Sequence, residues 1–140
     1  MEKMFTRKAG IHTKSGADIA VALTADVWSE SVQIPYAHSF CISYRAKSTT
    51  GTPDIDLYLE QTHINPDSVT TGEGAAGDTD NGWVQPTGAS KLADITDETW
   101  HQLTVSPVVL PYLRFLCDGQ GSNPADCTLE IQMTLLEIID

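Results

Sequence analysis

A chain of 140 residues with 41% hydrophobic content is long enough to bury a core without disulfide or metal staples. Eight basic against nineteen acidic residues leave a formal net charge of -11, which disfavours attachment through phosphates and excludes nucleic acid and anionic membrane as expected partners. Such a surface suits solubility, a cation or a basic protein partner.

The chain opens with Lys3, Arg7, Lys8 and Lys14 and no following apolar run of the kind a secretory signal requires. Residues 1–16 therefore read as a solvated N-terminal arm, with a single domain over 17–140. Short apolar stretches at 18–23 and 31–35 are weak strand candidates. In SFCISYRAK, Phe40, Ile42, Tyr44 and Ala46 alternate with Cys41, Ser43, Arg45 and Lys47, the period-two mark of a strand with one buried face. DIDLYLEQ repeats it more cleanly, with Ile55, Leu57 and Leu59 inward and Asp56, Tyr58 and Glu60 outward.

A long connection over roughly 62–98 follows, unusual for a compact domain and so expected to serve function or an interface. Within it SKLADITDETW is rich in Asp and Thr and predicts a turn or one helical turn. TWHQLTV at 99–105 is a further strand candidate. In PYLRFLCD, Leu113, Phe115 and Cys117 form one face and Tyr112, Arg114 and Leu116 the other. In CTLEIQMTLLEI, Leu129, Ile131, Met133 and Leu135 oppose Glu130, Gln132 and Thr134. About seven strands without a sustained helical period predict an all-β antiparallel β-sandwich, specifically a jelly roll.

The chemistry-bearing stretches are few. TTGEGAAGDTDNGW, residues 70–83, has no lysine and no helix placed to cradle a phosphate, and it is acidic. It also lacks the spacing of an EF-hand, leaving a looser calcium site on Asp78, Asp80 and Asn81 as the only metal candidate. The bland reading is an exposed tip whose Asn-Gly turn returns Trp83 to the body. No serine lies in a nucleophile elbow, and His12, His38, His63 and His101 have no partner at a defined spacing. Three cysteines match no zinc pattern. Cys117 and Cys127 flank a loop that would bring them together if it joined paired strands, although reduced thiols are the default without an export signal. No cofactor is implied. Trp28, Trp83 and Trp100 raise a glycan-stacking alternative, with Trp83 the best-placed platform.

The layout DIDLYLEQT, a long Gly/Asp-rich loop to NGWVQP, LADITDETWHQLTVSP, then VVLPYLRFLCDGQGSNPADCTLEIQMTLLE, preceded by VWSESVQIPYAHSFCISYRAKSTTG, resembles small β-sandwich virion proteins of tailed phages over roughly residues 25–138. These proteins decorate or cement capsids or form minor structural parts. The resemblance implies a non-enzymatic decoration or cement subunit in the virion, assembled in the host cytoplasm and bound to the major capsid protein or other virion subunits. It also implies a homo-oligomer, and it transfers no catalytic residue. On this reading Lys3, Arg7, Lys8, Lys14, Trp83, Tyr112 and Arg114 are the candidate partner-binding residues. Tyr58, Leu116 and Leu136 add to an outward apolar surface suited to subunit contacts. The alternative is a sandwich that binds a glycan or a calcium-dependent partner.

Overall fold

The computed structural model describes residues 3–13, 15–34, 37–63, 82–85, 91–105 and 111–139. Among these the chain forms β1 (Lys3–Ile11), β2 (Ile19–Ala20), β3 (Asp26–Trp28), β4 (Val32–Gln33), β5 (Ala37–Lys47), β6 (Ile55–Thr62), β7 (Lys91–Ile95), β8 (His101–Val105), β9 (Tyr112–Gly119) and β10 (Thr128–Ile139), and no helix. The first sheet runs β1-β10-β5-β8, with β2 continuing along the same edge of β10 as β1. The second runs β3-β9-β6-β7, with β4 continuing along the β3 edge of β9.

Taken as one interrupted strand each, β1/β2 pairs with the last strand and β3/β4 with the one before it. β5 pairs with β8 and β6 with β7, all antiparallel. First with last, second with second-last and so inward to the middle is the pairing of a jelly roll. The expected fold is the observed one.

The core lies between the sheets and follows the alternation. Phe40, Ile42, Tyr44 and Ala46 of β5 and Leu129, Ile131, Met133 and Leu135 of β10 are buried. They face Ile55, Leu57 and Leu59 of β6 and Leu113, Phe115 and Cys117 of β9. Phe40 meets Phe115 edge to face across the gap, with ring centroids 6.3 Å apart, the geometry the ring quadrupoles favour.

Several local expectations change. Residues 3–11, read as part of an arm, pair over nine residues with β10. Backbone hydrogen bonds carry this edge strand, so basic side chains are no obstacle, and charge on an edge strand discourages further pairing. Residues 91–95, read as a turn, are β7, held to β6 by the same backbone mechanism. The chain also returns earlier in the long connection, where Val84 and Gln61 exchange backbone bonds of 2.9 and 3.0 Å. Gly82 precedes that return with φ 66°, a conformation that glycine adopts without cost. The strands at 18–23 and 31–35 shrink to two residues each.

Cys117 and Cys127 are both free, because β9 and β10 belong to opposite sheets and are not paired. Burial pushes the Cys117 thiol up to about 12, and burial, then the Asp126 and Glu98 charges, push Cys127 up to about 11. Neither forms the reactive thiolate at neutral pH.

Polar staples tie the crossovers together at one end of the sandwich. Asp126 accepts from the Ser48 hydroxyl (2.6 Å), the Thr49 backbone N–H (2.9 Å) and the hydroxyls of Thr49 and Thr50. These donors hold its carboxyl well below the usual range. Asn123 donates to the carbonyls of Val21 (2.7 Å) and Leu23 (3.2 Å) and accepts from the Asp54 N–H (3.0 Å).

Candidate functional site

The outer face of the second sheet combines aromatic, aliphatic and charged side chains in cross-strand rows. Strand register sets them. Asp26 stands opposite Asp118, Asp118 opposite Asp56, and Asp56 opposite Asp94, so four carboxylates cross β3, β9, β6 and β7 in one line. The next row places Trp28 opposite Leu116 and Leu116 opposite Tyr58, which pairs with Lys91 after a bulge. Arg114 then stands opposite Glu60, and Tyr112 lies between Gln33 and Thr62. Trp28, Leu116, Tyr58 and Tyr112 are all half-buried. The first sheet packs on the other side, and on this face Trp83 of the returning connection lies against Arg114.

Beside the aromatic row sits a closed polar cluster. Arg114, only 2% exposed, donates from Nε to Glu60 Oε1 at 2.7 Å, and Trp28 Nε1 donates to the same oxygen at 3.1 Å. The guanidinium carbon lies 4.5 Å from the Trp83 ring centroid and 5.6 Å from that of Trp28, so the cation is held between two indoles. An ion pair this deep needs such supplementary contacts, because its desolvation opposes its attraction.

This arrangement corrects two expectations. Arg114 is not an exposed charge awaiting a partner but the centre of an internal cluster. Trp83 is buried to 8% exposure against Arg114, so it is neither an exposed anchor nor a sugar platform. Tyr112 does lie on the outward face, where Gln33 Nε2 approaches its hydroxyl at 3.4 Å. Lys3, Arg7 and Lys8 lie on edge strand β1, but their side chains fall outside the description. Lys14, Asp78, Asp80 and Asn81 lie outside the described residues, as does the side chain of Leu136.

The carboxylate row was not foreseen, because each aspartate is alone in its own strand. Crowding shows in its protonation. Desolvation, then the hydrogen bond with Asp118 and its charge, raise the Asp26 carboxyl above its ordinary value of 3.8. Desolvation and the hydrogen bond with Asp94 raise Asp56 against the opposing pull of Lys91, while Lys91 lowers Asp94. Lys91 Nζ lies 3.3 Å from Asp56 Oδ2 and also pairs with Asp94.

A raised folded value means that the folded protein binds more protons than the unfolded chain in the window above 3.8. The contribution of Asp26 and Asp56 to stability therefore falls as pH rises through that window. Asp26→Asn is expected to raise the melting temperature at neutral pH by about 1–2 °C. In a melting series against pH the gain should vanish below the ordinary aspartate value, where the wild-type carboxyl is protonated.

The strand pairing defines a jelly-roll sandwich. No known protein family matches the chain, and no curated protein matches it.

Proposed function

We propose that the protein is a non-enzymatic structural component of a tailed-phage virion, a capsid decoration or cement subunit that attaches through the outer face of its second sheet. The observation that carries this reading is that face itself. Trp28, Leu116, Tyr58 and Tyr112 form a half-exposed apolar band beside a row of carboxylates. Aromatic residues in this setting suit an interface core, and the charged row suits orientation and choice of partner. The resemblance of residues 25–138 to small virion sandwiches supplies the biological setting. The partners are then the major capsid protein or neighbouring virion subunits, with copies of the chain arranged symmetrically.

Quantitative mass spectrometry of purified particles tests the reading. A copy number near that of the shell subunit is expected for a decoration protein, and a few copies per particle would assign it to a neck, tail or vertex. Absence from particles rejects the virion reading. A glycan-binding sandwich would then lead, resting on the half-exposed Trp28 ring of the same face, and a glycan array would test it.

A further inference from the structure

The two halves of the carboxylate row differ in a way that points to what the face takes. At one end Lys91 places its ammonium between Asp56 and Asp94. At the other, Asp26 stands directly opposite Asp118 on the neighbouring strand, and among the described residues no basic group stands within ion-pair distance of either. The row thus accommodates one ammonium from the chain itself and leaves an equivalent position open.

We infer that this face docks an extended segment of a protein partner bearing lysine or arginine at alternate positions, with its basic side chains over Asp26 and Asp118 and its stem against Trp28, Leu116 and Tyr58. The inference rests on the reading of this face as the attachment surface and adds the chemistry of what attaches.

The dimensions agree. Asp26 and Asp118 stand on neighbouring strands about 4.8 Å apart, and same-side residues of an extended chain lie about 6.6 Å apart, so successive basic side chains reach both carboxylates. A basic side chain entering between Asp26 and Asp118 places a positive charge between two facing carboxylates and offsets their repulsion. Long basic side chains also carry alkyl stems, which the neighbouring Trp28–Leu116–Tyr58 row is placed to cover. A small metal ion uses none of that apolar surface. The carboxylates stand in a line, and among the described residues no three metal-ligating groups converge on one point. The chain's net charge of -11 favours encounter with a basic partner in the same sense.

The test uses the intact protein and a short synthetic peptide with lysine at alternate positions, titrated at physiological ionic strength and followed by amide chemical shifts. Binding is expected at residues of β3, β6, β7 and β9, with none for the same peptide carrying glutamate in place of lysine. The double variant Asp26→Asn, Asp118→Asn should bind about tenfold more weakly. It should also remain folded, since it removes repulsion. Asp18→Asn, an exposed aspartate beside β2 on the other sheet, should bind as the wild type does.

No binding of the lysine peptide, equal binding by the double variant, or an equal loss in Asp18→Asn would overturn the inference. Particle occupancy separates it from the virion reading. A chain missing from particles that still binds the peptide through the row removes the virion role and leaves the docking chemistry. A double variant incorporated as fully as the wild type overturns the docking chemistry and leaves the virion role.

Discussion

Arg114→Ala is expected to cost about 3–5 kcal/mol of folding stability, measured by denaturant titration, because it strands a buried charge. Glu60 is 9% exposed and directs Oε1 at Arg114 Nε. Without the guanidinium, only the Trp28 indole N–H at 3.1 Å remains as a described donor to that oxygen. The substitution also empties the space between the rings of Trp28 and Trp83, removing contacts at 5.6 and 4.5 Å. Trp83 adjoins the Gln61–Val84 backbone pair, so the return of the long connection loses its packing support as well.

The double substitution Arg114→Met, Glu60→Leu should recover part of the loss, because the two apolar side chains need no partner while the Trp28 indole N–H gives up its acceptor. Arg114→Lys should fall between, keeping the charge but losing the planar group that stacks on an indole. If Arg114→Ala proved neutral, the cluster would be a surface ion pair of little consequence, contrary to its burial. The cluster and the carboxylate row occupy one face, so the comparison also separates what holds the sheet from what the sheet offers.

The sequence made β5, β6, β9 and β10 legible because each has two chemically distinct faces. Phe40, Ile42, Tyr44 and Ala46 alternate so regularly with polar neighbours that only a half-buried strand fits, and the same holds for the core sides of β6, β9 and β10. The outer face of the second sheet was less legible. Arg114 and Glu60 occupy outward positions, where a solvated charge is the ordinary expectation. They are buried because Trp28, from a strand far away in sequence, and Trp83, from the returning connection, close over them.

No one-dimensional pattern encodes that closure. Nor does one encode the line formed by Asp26, Asp118, Asp56 and Asp94, since it exists only once β3, β9, β6 and β7 are neighbours in register. The β3-β9-β6-β7 order that jelly-roll topology implies, combined with the alternation of each strand, was the signal that would have found it. β1 and β7 were missed for a related reason. Their pairing is carried by backbone groups, while their side chains read as an arm and as a turn.

Gly119→Ala should be among the most damaging single-methyl changes in the chain, costing about 3 kcal/mol by overpacking against backbone. A Cβ at this position would run into the carbonyl oxygen and carbon of Leu23. That carbonyl cannot simply retreat. Leu23 holds a left-handed φ of 52°, strained for a side-chain-bearing residue, and its carbonyl accepts from Asn123 Nδ2 at 3.2 Å. The same amide bonds Val21 at 2.7 Å, and Gly119 N–H donates to Ala25 at 3.0 Å. Displacing Leu23 therefore loosens the whole β2–β3 crossover at the end of β9.

Asn123→Ala attacks the same joint from the other side. It leaves the carbonyls of Val21 and Leu23 and the Asp54 N–H without their partner, at a cost of about 3 kcal/mol. Because both substitutions release one turn, the double variant should lose about 4 rather than about 6 kcal/mol. Gly121→Ala supplies the control. It lies two residues from Gly119 and nothing stands within 4 Å of its new Cβ, so its stability should stay within about 0.5 kcal/mol of wild type. Equal effects at Gly119 and Gly121 in denaturant titrations would show that backbone freedom, not contact with Leu23, sets the requirement for glycine. A large loss at Gly119 alone, sub-additive with Asn123, identifies the Leu23 carbonyl as the point where the crossover is locked to the second sheet.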